Sequence, residues 1–189
     1  MKTLIVILYN IRSTYNVGAI LRSCDGLGVD KVLFAGYTPF LDKGLPHEQV
    51  KLKKQIHKTA LGAEDSVTWG RSEDIQQTIA ELKEQQYRIV ALEQGEHSIN
   101  LAEGYSDEQN IALILGEEVH GIPQDILSQC DALLEIPMCG QKESFNVSVA
   151  AGIALWELRK TDLNDKRKHL RTPEWCLLPW CSHECRLAN

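Results

Sequence analysis

Residues 111–123 read IALILGEEVHGIP, and this stretch decides the fold. Its first five residues are apolar with no polar alternation, the pattern of a strand covered on both faces of a parallel sheet. The run stops at Gly116, two acids and a histidine follow, and Gly121 and Pro123 lead into a short helix with proline in its first turn. Open α/β sheets build their sites at such places, at the carboxyl ends of strands. Taken alone, the stretch also reads as a plain glycine turn before a helix.

The same alternation extends to both sides. TLIVILY (3–9) reads as a buried strand that delivers the polar loop 10–15, and KVLFA (31–35) as a second strand. Between them, Val17, Ile20, Leu21 and Cys24 recur at helical spacing behind Asn16 as a cap, with Gly26 and Gly28 as a stop. Residues 36–69 show weak periodicity and predict a long loop with at most one short helix. Farther on, an amphipathic helix is expected over 72–86 and a strand over 88–93. A short helix over 123–129, a strand over 132–136 and a closing helix over 146–158 complete the pattern. Strands alternating with helices give an α/β fold, a parallel sheet with helices on both faces.

The 189 residues suit one domain with an appendage, read as residues 1–160 followed by a tail, 161–189, that is first charged and then rich in Trp and Cys. Lys and Arg number 20 against 26 Asp and Glu, a net charge of -6, which excludes a protein that grips a polyanion with its whole surface. The charge is uneven, however: residues 42–58 carry a local balance of +3 and residues 159–171 one of +4. No apolar run approaches the ~20 residues of a membrane helix, and the first strand lacks a leader's cleavage site, so a cytoplasmic protein with no membrane contact is expected. Cysteines 24, 130 and 139 are scattered, unlike a disulfide framework. Cys176, Cys181, His183 and Cys185 crowd the tail without a paired-cysteine spacing, and no metal site is expected there.

Three segments combine a strand end with chemistry-bearing residues: 10–28 with Asn16, Gly18 and Arg22; 113–123 with Gly116, Glu118 and Gly121; and 136–158 with Ser144, Asn146 and Ser148. Each has a plain reading as a cap, a turn or a polar helix start. All three, in this order and at these separations, resemble the SpoU (TrmH) family of S-adenosylmethionine-dependent RNA ribose 2'-O-methyltransferases, in the SPOUT class. The resemblance spans residues 4–158, and KTALGAEDSVTW (58–69) is similar to a stretch found in one branch of that family.

The resemblance implies a parallel sheet whose C-terminal part forms a deep trefoil knot. It implies S-adenosylmethionine bound by Leu92, Gly116, Ile136, Ser144 and Phe145, the last standing where the family usually has Leu. Catalysis falls to Arg22 with Asn16, Glu118, Ser144 and Asn146, and a homodimer with the site near the subunit boundary is implied. The partner is RNA, with tRNA favoured over rRNA for a small catalytic domain, met by Arg12, Lys51, Lys53 and Lys54. Glycine at 116 and 140 would let a polar ligand reach the main chain. A non-catalytic knotted RNA-binding module is the competing reading. No strand runs into a GxGxxG turn and Ser144 lies on no glycine elbow, which removes a dinucleotide oxidoreductase and a serine hydrolase.

Arginine stays protonated to above about pH 12, which makes Arg22 an awkward base. The resemblance carries a base deprotonated with help from a neighbouring RNA phosphate, and the more conservative role is a bidentate phosphate anchor while water takes the proton. Replacing Arg22 by alanine is expected to lower methyl transfer on the order of 100-fold in single-turnover assays. Arg22→Lys should retain part of the RNA affinity and lose the rate that depends on the planar fork.

Overall fold

The computed structural model describes residues 2–40, 47–105 and 109–169. Strands β1 (Leu4–Tyr9), β2 (Lys31–Ala35), β3 (Trp69–Ser72), β4 (Tyr87–Leu92), β5 (Ile99–Asn100), β6 (Asn110–Leu115) and β7 (Ala132–Glu135) form one sheet. Its order is β3-β2-β1-β6-β4-β7-β5, and every pairing is parallel. Strand β6 lies between β1 and β4, and β7 between β4 and β5, so late strands enter between earlier ones. Leu8 pairs with Leu115, Leu115 with Leu92, and Leu92 with Leu134, which brings the carboxyl ends of four strands level.

Pleating divides the apolar residues into two clusters, one on each face. Leu4, Val6 and Leu8 point to the face covered by α1 (Thr14–Gly26), α2 (His47–Ala60) and α6 (Val147–His169). Ile5 and Ile7 point to the other, where Ile79 and Leu82 of α4 (Ile75–Glu84) and Ile126 of α5 (Gln124–Leu127) pack. Compact packing separates residues Met1–Leu158 from Arg159–Asn189. The Cys176, Cys181, His183 and Cys185 cluster lies outside the described residues. Cys24, Cys130 and Cys139 are free, and burial pushes the Cys24 thiol up to about 12.

Several boundaries differ from the sequence reading for identifiable reasons. Ser13, not Asn16, caps α1: its hydroxyl accepts the Asn16 N–H at 3.3 Å, which leaves the Asn16 carboxamide for other partners. The expected loop over 36–69 is largely helical. Leu52, Ile56 and Ala60 recur every four residues on α2 and face the core, a pattern obscured by the lysines between them. A second short helix, α3 (Ala63–Ser66), leads into the unexpected edge strand β3, whose Trp69 meets Phe34 edge-on at 5.9 Å. Helix α6 does not stop at 158 but continues to His169.

Glu64, in the stretch 58–69, is a buried carboxylate serving structure. Burial works to raise its pKa, but the hydrogen bond with His57 (2.5 Å) and backbone donors, including Gly62 N–H, outweigh it and hold the group below the usual range.

Gly18 marks a close contact between α1 and α2. A Cβ there would lie 2.2 Å from Thr59 Oγ1 and 2.3 Å from the Ile56 carbonyl oxygen. Gly18→Val is therefore expected to destabilise the fold by about 1–3 kcal/mol through overpacking, read as a lower urea midpoint at unchanged slope. An unaltered midpoint would show that the two helices do not pack as described.

Candidate functional site

The loops that follow β1, β4, β6 and β7 leave the sheet at one edge because their strands end in register. Among the last three lies a cavity of about 400 Å³, within the size range of small-molecule sites. Leu92 and Leu115, which end β4 and β6, and Leu134, one residue before the end of β7, form its apolar part with Ile136 and Met138. Its polar lining carries five carboxylates, Glu93, Glu117, Glu118, Glu135 and Glu143, and a single histidine, His120. Such a lining favours a cationic guest over an anionic one.

Glu93 shapes this cavity, although the sequence reading did not single it out. It directly follows β4, and its Oε2 accepts the Ile122 N–H at 3.0 Å. Gly121, at φ +64°, lies against the same carboxylate, where a Cβ would come within 2.3 Å of Oε2. A Cβ on Gly116 would meet Ile122 Cγ1 at 2.6 Å and the Gly121 carbonyl carbon at 2.9 Å. Glycine at 116 is thus required by closure of the turn 116–121 on itself, and the same residue lines the cavity. Gly140 does have open space where a side chain would be.

A chain of amides and hydroxyls joins three segments above the cavity. The Asn16 Nδ2 donates to Glu118 Oε1, Asn146 Nδ2 donates to Asn16 Oδ1 at 3.2 Å, and Ser148 Oγ donates to Asn146 Oδ1 at 2.6 Å. The structure therefore brings Asn16, Glu118 and Asn146 into direct contact, although 102 and 130 positions separate Asn16 from the other two. Ser144 stands on the cavity wall with Leu92, Gly116, Ile136 and Phe145. Arg22 is not part of this chain: it is exposed on α1 and forms no hydrogen bond or ion pair with a described residue.

A second set of contacts holds the turn after β6 against the loops after β1 and β2. Arg12 Nε donates to the Tyr37 hydroxyl at 3.2 Å, its Nη2 lies 3.3 Å from Glu117 Oε2, and its guanidinium stacks over the Tyr37 ring at 5.3 Å. Desolvation works to raise the Glu117 pKa, but hydrogen bonds from Tyr37 and His120 and the charge of Arg12 leave it lowered. Arg12, expected at an RNA surface, is thus committed on one side to Glu117. Of the α2 lysines, Lys51 and Lys54 are exposed on one stripe with Lys58, while Lys53 lies 3.6 Å from Asp65.

Glu93→Ala is expected to speed amide exchange across 116–122 by about tenfold or more, because the buried Ile122 N–H loses its acceptor. Glu93→Gln keeps an acceptor oxygen and should preserve most of the protection. Equal exchange in both variants would remove Glu93 as the anchor of the turn.

The sequence model of the SpoU rRNA Methylase family matches residues 3–156. The 23S rRNA (guanosine-2'-O-)-methyltransferase RlmB of Nitrosomonas europaea is 33% identical over 155 residues, covering 82% of this chain and 55% of that protein. The chain thus spans just over half the length of such curated relatives. The crystal structure of the A. aeolicus TrmH/SpoU tRNA modifying enzyme superposes with a TM-score of 0.73 at 26% identity, over 91% of this chain and 81% of that one. An AdoMet-bound rRNA methyltransferase from Sinorhizobium meliloti shares the fold, with a TM-score of 0.71 at 22% identity over 90% and 57% of the two chains. With its three motifs meeting around one cavity and the family match running through all of them, this chain belongs to the SpoU rRNA methylase family.

Proposed function

We propose that this protein is an S-adenosylmethionine-dependent methyltransferase acting on a ribose 2'-hydroxyl of RNA. The observation that carries the reading is the Glu118–Asn16–Asn146 chain, which fastens all three motif segments over an acid-lined cavity. S-adenosylmethionine fits that lining, since its sulfonium and ammonium are cationic and its adenine needs an apolar slot. When bound, it would supply an electrophilic methyl group. Leu92, Gly116, Ile136, Ser144 and Phe145 would hold it.

The remaining chemistry belongs to the chain. Glu118 fixes the orientation of the Asn16 carboxamide, and Asn146 fixes its other end, so a ribose meeting these groups is positioned without rearrangement. Arg22 anchors the adjacent phosphate with its planar fork. Its exposure, without a partner on its own chain among the described residues, leaves it free to serve the cavity of a second copy. Val149, Ile153 and Trp156 support a homodimer: they form an exposed apolar stripe on α6, with Trp156 52% exposed. The trefoil knot belongs to this reading too, supported by the entry of β6 and β7 between earlier strands.

No described helix is long and apolar enough to cross a membrane, and a cytoplasmic location completes the proposal. Transfer RNA is the favoured substrate. The tRNA-modifying relative, at 26% identity and a TM-score of 0.73, supports that choice.

Incubation with labelled S-adenosylmethionine and unmodified total RNA, followed by nucleoside mapping, should yield a single 2'-O-methylnucleoside. RNA affinity should fall with salt at a logarithmic slope of about -0.7 per phosphate contacted on a single strand. Cofactor binding with no incorporation into any RNA fraction would favour the knotted RNA-binding module instead.

A further inference from the structure

The α1–α2 junction carries an exposed aromatic ring that neither the core nor the polar chain uses. Tyr15 is 46% exposed, and its hydroxyl forms no hydrogen bond with a described residue. A cation faces its ring: Lys58 Nζ lies 6.0 Å from the ring centroid. The backbone beneath is held firmly, because the Thr59 hydroxyl donates to the Tyr15 carbonyl at 2.8 Å and the neighbouring Thr14 hydroxyl bonds Gln55 at 3.3 Å. Tyr15 directly precedes Asn16, which reaches Glu118 on the cavity rim. Lys51, Lys54 and Lys58 run along one exposed stripe of α2 that ends beside the ring.

A flat ring on a fixed base, flanked by a track of cations and one residue from the reacting network, has the composition of a single-stranded nucleic-acid site. There, aromatic faces stack on bases and lysines follow the phosphates. Tyr37 is held differently, since its hydroxyl accepts from Arg12 Nε and Arg12 is itself paired with Glu117. We propose that Tyr15, backed by Lys58, is a stacking platform for an unpaired base next to the target nucleotide. The proposal rests on the methyltransferase reading above and assigns a residue that positions the RNA.

The test uses a hairpin RNA that the full-length wild-type protein methylates, and the same sequence annealed into a perfect duplex. Wild type should bind the hairpin at least about tenfold more tightly than the duplex. Tyr15→Leu should weaken hairpin binding by about 5- to 100-fold, whereas Tyr15→Phe, which keeps the ring, should bind like wild type. A 2-aminopurine placed beside the target should be quenched by wild type and by Tyr15→Phe, and not by Tyr15→Leu. Lys58→Gln should reduce the salt slope by about 0.7. S-adenosylhomocysteine binding, unchanged in all three variants, would confirm that the cavity is intact.

Equal hairpin affinity in wild type and Tyr15→Leu, or equal affinity for hairpin and duplex, would overturn the proposal while leaving methyl transfer by wild type in place. A Tyr15→Leu protein with altered oligomeric state and intact RNA affinity would assign the ring to an interface between copies and also overturn it. Wild type that methylates no RNA, so that no such hairpin is found, and that binds neither hairpin nor duplex would overturn both this proposal and the reading on which it rests.

Discussion

Four leucines standing in register set the geometry on which everything else depends. Leu8, Leu115, Leu92 and Leu134 pair successively across β1, β6, β4 and β7. Parallel pairing makes each strand end at the same edge, so the four following loops have no other place to go. The turn 116–121 then closes under two tight steric limits, at Gly116 against Ile122 and at Gly121 against Glu93. A cavity results because neighbouring loops are held open by strands fixed about 4.8 Å apart in the sheet, not because any single loop is built as a pocket.

Much of this was legible in the residues. The apolar runs 4–9, 31–35 and 111–115 could be read as buried strands because both of their faces are covered, and the helix after β1 showed its period in Val17, Ile20, Leu21 and Cys24. Strand β5, two residues long, carries no periodicity to read, and α2 concealed its Leu52–Ile56–Ala60 face among charged neighbours. The site divides in the same way. Asn16, Glu118, Asn146 and Ser144 stand near strand ends or helix starts, where their residue type is conspicuous, and the family resemblance assigns their roles. Glu93 and Tyr37 act through distant partners, the Ile122 N–H and the Arg12–Glu117 pair, and no local pattern indicates which loop will lie opposite. Ser13 took the capping role assigned to Asn16, which a one-residue pattern cannot resolve when two good caps lie three apart.

The acidic balance of the chain also acquires a location. Five carboxylates line the cavity, where a cationic ligand would offset them, while exposed lysines collect along α2 beside the start of α1. The protein thus separates a negative pocket from a positive approach surface, an arrangement that sorts two ligands of opposite charge to adjacent places. The Arg12–Glu117 pair ties the turn on the cavity rim to the loop after β1.

The central position of β6 has a consequence in time as well as in space. Thr3 N–H bonds the Asn110 side chain across a sequence separation of 107, and β1 lacks its second neighbour until that distant segment arrives. During synthesis, one long edge of Leu4–Tyr9 therefore remains open until the segment around residues 111–115 has emerged. Contacts of such long range are entropically costly to nucleate and slow to form. The apolar strand that organises the finished sheet is thus also the segment most exposed to mispairing while the protein is being made.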